Sequence, residues 1–203
     1  MNPSWVERYR DEHLLIVDKP PGLASQAGRD NRSSNLFDAL RAQETYVGLH
    51  HRLDTPVSGL MLFSLSRDVN KAVTDGFRRH EIQRVYRGFA LGVPNAEGTW
   101  DSPIDDRSAC TRFRRLGGDH RASFLEFTLE TGRKHQIRRH AAAAGHPLLG
   151  DRRYGGSAGT LHSRVALHAY RLTWTHPITR QPIDVEAPTP DDLLKLATVF
   201  SVD

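Results

Sequence analysis

Gly59-Leu60-Met61-Leu62-Phe63-Ser64-Leu65 is nearly continuous in Leu, Met and Phe, and this run constrains the fold more than any other stretch. It shows no alternation of apolar and polar residues, so it is expected to be a central strand buried on both faces. Such a strand needs partners, and the chain offers several. His13-Leu14-Leu15-Ile16-Val17-Asp18 reads as a short buried strand that stops at Lys19-Pro20-Pro21-Gly22, where two prolines and a glycine force a turn. Val85 to Leu91 is closed by Gly92-Val93-Pro94, and Leu172 to Thr175 runs up to His176-Pro177. From Ser123 to Glu130 apolar Leu125, Phe127 and Leu129 alternate with Glu126, Thr128 and Glu130, the pattern of a half-buried strand.

Helices are expected between these strands. Ser33 or Ser34 is placed to cap a helix through about Gln43 with Leu36, Ala39 and Leu40 inward, and Ser66 to cap one that buries Val69, Ala72, Val73 and Phe77. His135 to Ala144 reads as a helix ended by Gly145 at the C′ position. Thr189-Pro190-Asp191-Asp192 puts Pro at N1 and acids in the first turn of a last helix that buries Leu193, Leu194, Ala197 and Phe200. Strands and helices alternate irregularly, which favours an α+β fold with a mixed sheet over a doubly wound parallel one. With 203 residues and no repeat or linker, the chain suits one domain, or at most two small lobes sharing a sheet. Residues 1–203 are expected to form a single catalytic domain.

Composition narrows the chemistry. Cys110 is the only cysteine, which excludes an internal disulfide framework and a multi-thiolate zinc site. No apolar run approaches the ~20 residues of a bilayer span, and Met1 to Arg8 lacks a signal-peptide core, so a cytoplasmic protein is expected. The net charge of +4 comes with four lysines against twenty-four arginines. Arginine is the better bidentate phosphate ligand, but a GC-rich genome gives the same bias, so an RNA partner is permitted and not established. Among eleven histidines, His135 and His140 are five apart with no glutamate between them, so no metal site is expected. No Gly-x-Gly-x-x-Gly or Walker loop is present.

His50-His51-Arg52-Leu53-Asp54-Thr55-Pro56-Val57-Ser58-Gly59 lies just before the central strand. A carboxylate on a loop at a strand edge is anchored yet accessible, as a ligand-facing group must be. On physics alone, a plain Arg52–Asp54 surface pair is the favoured account. The run is similar, however, to the H-R-L-D block of the RluA-like family of RNA pseudouridine synthases, and four further blocks match in order: Asp18-Lys19-Pro20-Pro21-Gly22-Leu23, Gln83-Arg84-Val85-Tyr86-Arg87-Gly88, Thr131-Gly132-Arg133-Lys134-His135-Gln136-Ile137-Arg138, and Gly145 to Asp151 with Tyr154-Gly155. One departure is Gly88, where the family usually has alanine.

The resemblance implies the pseudouridine synthase fold, a mostly antiparallel mixed sheet with flanking helices and a catalytic cleft. It implies that Asp54 is the catalytic carboxylate, that Tyr86 stacks on the target base, and that Arg138 is the cation keeping Asp54 ionised. Arg52 would fill the gap left when the uridine is extruded from its stack. His51, Arg133, His135 and Gln136 are assigned with Arg52 to RNA binding. No metal or cofactor is implied. The chain is expected to act as a monomer without an N-terminal accessory RNA-binding domain, on tRNA slightly ahead of rRNA, because His80 to Tyr86 and His135 to His140 look more like the tRNA-modifying branch. The rival reading is a non-catalytic RNA-binding protein on the same scaffold.

Overall fold

A computed structural model describes residues 5–28 and 34–202. Along the chain the elements are β1 (Val6–Arg10), β2 (Leu14–Lys19), α1 (Leu36–Arg41), β3 (Gly48–Leu49), β4 (Ser58–Ser64), α2 (Asn70–Arg78), β5 (Gln83–Leu91), β6 (Glu97–Trp100), β7 (Thr111–Gly118), β8 (Ala122–Leu129), α3 (Gln136–Ala143), β9 (Leu167–Thr175), β10 (Pro182–Glu186) and α4 (Asp191–Val199). The fold is α+β, as expected. The pairs β1–β2, β2–β4, β3–β4, β5–β8, β6–β7, β7–β8 and β9–β10 are all antiparallel. Ala24 and Asn35 form an isolated parallel bridge. The chain divides into two compact units, one running to Gln83 and resuming over Arg171–Ala187, the other spanning Arg84–Tyr170 and continuing from Pro188.

In the first unit every residue of β4 is buried. Its register with β2 pairs Leu15 with Phe63, Ile16 with Leu62 and Val17 with Met61. Alternate side chains therefore serve two cores. Leu14, Ile16, Leu60 and Leu62 pack with Val69, Val73 and Ile82, while Leu15, Val17, Met61 and Phe63 are equally buried. That double burial is why the run carries no polar alternation. The caps differ from expectation. Asn35 caps α1, its Oδ1 accepting from the Asp38 N–H at 3.0 Å; Ser34 is exposed, and Ser33 lies outside the described residues. Ser66 does not cap α2, which starts four residues later behind Val69, because its hydroxyl is engaged with His13 Nδ1 at 3.0 Å.

In the second unit β5, β8, β7 and β6 are neighbours in that order. Phe89, Phe124, Leu149 and Ala166 build a core against Leu193 and Leu196 of α4. The expected inward set of α4 needs one correction, since Leu194 is 49% exposed and Leu196 takes its place. The helix begins one residue later than expected, with Pro190 as the N-cap and not N1. Leu193, Leu196, Ala197 and Phe200 follow the i, i+3, i+4, i+7 spacing of one helix face, which Leu194 does not. β1, β6, β7 and β10 were not expected from the sequence at all.

Gly88, the departure from the family pattern, has a local cause. A Cβ there would stand 2.4 Å from the Ala166 carbonyl oxygen, and Phe89 N–H donates to that same oxygen at 3.0 Å. Backbone cannot yield as a side-chain tip does, so Gly88→Ala should cost about 1–3 kcal/mol, the range for overpacking a tight site. Urea unfolding of the two proteins measures it; equal midpoints would show that the close approach imposes no such constraint.

Candidate active site

Asp54 belongs to the first unit, on the loop that enters β4, and its backbone is fixed on both sides. Ser25, 4% exposed, accepts from the Leu53 N–H at 3.0 Å and donates to the Leu53 carbonyl at 2.7 Å. The Val57 N–H closes a turn onto the Asp54 carbonyl at 3.0 Å, and the Gly22 N–H holds the Thr55 carbonyl at 2.8 Å. Lys19 is fully buried, and its ammonium donates to the carbonyls of Pro20, Leu23 and Thr55 at 2.9, 2.8 and 3.4 Å. Burying an ammonium without such acceptors would cost several kcal/mol. The Lys19-Pro20-Pro21-Gly22 turn is thus the strut behind the Asp54 loop. The Asp54 side chain is half-buried, and Arg52 two residues before it is exposed. His51 faces inward: its Nε2 accepts from the Leu62 N–H at 2.9 Å, and its ring lies 4.6 Å from that of Phe77.

The other expected residues belong to the second unit. Tyr86 on β5 is 6% exposed and opposite Phe127, which in turn is opposite Phe113; Trp100 stacks on Phe113 at 4.4 Å. On α3, Arg138 is 6% exposed. Its Nε and Nη2 donate to the two oxygens of Asp151, each at 2.8 Å. Burial works to raise the Asp151 pKa, but the Arg138 guanidinium and the N–H groups of Tyr154 and Arg153 outweigh it, so the carboxyl titrates below its ordinary range. His135, at the N-cap of α3, adopts a left-handed conformation with φ 55° and ψ 30° and makes no side-chain cap. Its Nδ1 is 2.9 Å from the Tyr154 hydroxyl.

Gln136 is 3% exposed, and its amide is engaged inside the fold. Oε1 accepts from the Thr131 hydroxyl at 2.6 Å and the Arg133 N–H at 2.9 Å, while Nε2 donates to the Cys110 carbonyl at 2.9 Å and the Thr111 hydroxyl oxygen at 3.0 Å. One turn on, His140 Nε2 must donate to the Ser102 carbonyl at 2.9 Å, which leaves Nδ1 to accept from Thr111. Arg133 Nε donates to the Ser108 carbonyl at 2.8 Å, and Arg139 pairs with Asp105 at 2.9 Å. The T-G-R-x-H-Q block holds Ser108 and Cys110, and Arg139 and His140 of α3 hold Asp105 and Ser102, so together they fasten residues 101–110 to α3. Of the five residues assigned to RNA, Arg52 is exposed, His51, Arg133 and His135 are half-buried, and Gln136 is buried.

Sequence reasoning quoted Lys19, Asp151 and Tyr154 within motifs but gave them no role, and it passed over Ser25. Motif membership was the available signal for the first three. Cys110 behaves as expected of an inert thiol: burial and the neighbouring Glu130 carboxylate push its pKa up to about 11. Among the described residues no group of three or more His, Cys, Asp or Glu is arranged to hold a metal ion, and no helix is long and apolar enough to cross a membrane.

A family model described as RNA pseudouridylate synthase matches residues 13–143, a span that includes Asp54, Tyr86 and Arg138. An RNA pseudouridine synthase of Bacillus subtilis, YhcT, itself uncharacterised, is 36% identical over 95% of this chain and 71% of its own length. Ribosomal large subunit pseudouridine synthase D of Xanthomonas campestris is 32% identical over 96% of this chain and 69% of its own. The solved structure of human RNA pseudouridylate synthase domain containing 1 superposes with a TM-score of 0.79 at 22% identity, covering 94% of this chain and 85% of that one, which is a likeness of fold.

Asp151→Asn keeps the shape of the carboxylate and removes the charge that meets Arg138. Removing one partner of a buried pair costs about 3–5 kcal/mol, and that loss is expected at pH 7 in urea unfolding. Because the folded pKa of Asp151 is depressed, its contribution is complete above the ordinary value of about 4 and fades as pH falls through the folded value. The two proteins should therefore converge in acid; a gap that persists undiminished at about pH 2 would mean the pair is not held by charge.

Proposed function

The chain belongs to the RNA pseudouridylate synthase family, and from that premise we propose that it isomerises a uridine of structured RNA to pseudouridine through Asp54. The observation that carries this reading is the H-R-L-D loop: Asp54 lies within the matched span, half-buried on backbone that Ser25, Gly22 and Lys19 hold in place. Such rigidity is what a catalytic carboxylate needs.

The reaction breaks the N1–C1′ bond, turns the base and joins C5 to C1′, after which C5 gives up its proton and N1 takes one up, with no redox change and no co-substrate. In this proposal Asp54 supplies the carboxylate at the ribose, Tyr86 packs against the base, and Arg138 keeps the carboxylate ionised. Exposure of Arg52 suits a side chain that enters RNA and replaces the extruded base. We place the reaction in the cytoplasm, with the RNA. For the substrate, the name of the Xanthomonas relative, a ribosomal large subunit pseudouridine synthase, favours large-subunit rRNA. The tRNA preference suggested by His80 to Tyr86 and His135 to His140 rests on sequence pattern alone, so rRNA is taken first.

Asp54→Asn should abolish tritium release from RNA labelled at uridine C5 while the unfolding midpoint and RNA affinity stay at wild-type values; a variant retaining about one-tenth of the rate would remove Asp54 from the mechanism. Incubating the wild-type protein separately with unmodified 23S rRNA and tRNA transcripts should give pseudouridine in the rRNA. Conversion confined to tRNA would reverse the choice of substrate and leave the isomerase reading intact.

A further inference from the structure

His50 stands four residues before Asp54 and two before the exposed Arg52, and it belongs to no strand. The strand ahead of it, β3, is only two residues long, with Gly48 opposite Ser64 of β4. His50 is therefore the point where the chain leaves the sheet and the H-R-L-D loop begins. Both of its ring nitrogens are engaged. Nε2 meets the Ser64 hydroxyl of β4 at 2.8 Å, and Nδ1 meets the Thr74 hydroxyl of α2 at 3.1 Å.

The groups beyond these bonds fix their direction. Ser64, fully buried, donates to Asn70 Oδ1 at 2.5 Å, and Asn70 Nδ2 donates to the Tyr46 hydroxyl. With its proton committed, Ser64 offers His50 only a lone pair, so Nε2 carries the imidazole proton and Nδ1 accepts from Thr74. Burial holds the His50 pKa below its ordinary value, which keeps the ring in that neutral form at pH 7. The donors run one way, from Thr74 to His50, Ser64, Asn70 and Tyr46, and such a chain specifies a single arrangement. Gly48 makes room for it: a Cβ there would overlap the Ser64 hydroxyl and stand 2.7 Å from Asn70 Oδ1.

We propose that His50 is a positioning residue for the reaction: by bridging β4 and α2 it fixes the point from which the loop carries Arg52 and Asp54 out of the sheet. The role rests on the reading of this chain as an RNA pseudouridine synthase acting through Asp54. Three side chains then anchor the loop. His50 holds Ser64 and Thr74, His51 accepts from the Leu62 N–H, and Ser25 meets both the N–H and the carbonyl of Leu53. Arg52 lies between these anchors and Asp54 directly follows the last. A two-residue strand has few backbone bonds with which to fix that exit, so the imidazole does it. His50 touches no substrate in this role; its loss shifts the carboxylate, and a shift of about 1 Å costs up to about 100-fold in rate.

The test pairs steady-state tritium release from 23S rRNA transcripts with amide hydrogen exchange of the full chain without RNA. His50→Phe keeps the ring and removes both bonds, so kcat should fall by about 10- to 100-fold with KM at the wild-type value. Exchange should quicken by about tenfold at Leu53 and Val57, whose N–H groups close the loop, and stay unchanged at Leu15 and Val17 of β2. His50→Gln, whose amide can still donate to Ser64, should recover most of kcat. Thr74→Val, a change at an exposed residue that carries the test where His50→Phe fails to fold, should lower kcat in the same direction. A wild-type kcat in both His50→Phe and Thr74→Val, or exchange that quickens equally in the loop and in β2, overturns the role. If the loop amides quicken alone in His50→Phe but the wild-type protein releases no tritium from any RNA, His50 still positions the loop and the isomerase reading falls.

Discussion

Asp151 meets Arg138, 6% exposed, with both oxygens, and so supports a buried guanidinium charge. Much else follows from that pairing. Asp151 must be delivered by a turn that approaches α3 closely, and the residue before it, Gly150, takes φ 72° where a Cβ would fall 1.8 Å from the Arg164 carbonyl oxygen. Only glycine satisfies both conditions. The same carboxylate then sets the backbone of Arg153 and Tyr154. Buried ion pairs add little stability over apolar packing of equal volume, so the pair is better explained by what Arg138 and the turn are positioned to do.

A second constraint works through hydrogen bonds alone. Gln136 and His140 lie one helical turn apart and so share a face of α3, where both meet Thr111. The donors and acceptors run in one consistent direction. Cys110 N–H donates to the Thr131 hydroxyl oxygen, Thr131 to Gln136, Gln136 to Thr111, Thr111 to His140 and His140 to the Ser102 carbonyl. A buried network in which each hydroxyl both gives and receives specifies a single arrangement, whereas a half-satisfied one would be worse than apolar residues. This is how residues 101–110, with few apolar side chains of their own, are held in order.

The elements that sequence made legible are those whose burial has a simple period. β4 is buried on both faces, β8 buries Leu125, Phe127 and Leu129 in alternation, and α3 ends with Gly145 at φ 79°. β7 stayed hidden because Arg112, Arg114 and Arg115 occupy it, and the pairing that makes them strand residues, Arg114 and Arg87 across Glu126, joins positions distant in the chain. β10 is short, and its Ile183 and Val185 alternate over five residues only. The motifs singled out Asp54, Tyr86 and Arg138 through resemblance. They could not reveal that Gln136 faces inward or that Asp151 partners Arg138, because a motif records residue type and spacing but not which way a polar side chain turns.

The contrast between Lys19 and the arginines shows how cation type follows geometry. Three carboxylates in this protein are met by forks: Asp151 by Arg138, Asp192 by Arg164 and Asp184 by Arg171. A planar guanidinium matches a planar carboxylate with two parallel bonds. Behind the Asp54 loop the acceptors are instead carbonyls, of Pro20, Leu23 and Thr55, arriving from different directions at one point. Three converging acceptors suit the three diverging protons of an ammonium and not a flat fork. Of four lysines in the chain, Lys19 is the one with no exposure. An arginine there would have to leave an acceptor unmet or displace the Thr55 carbonyl, and with it the backbone next to Asp54. Lysine at this position is thus a geometric requirement of the loop that carries the carboxylate, in a chain that otherwise prefers arginine.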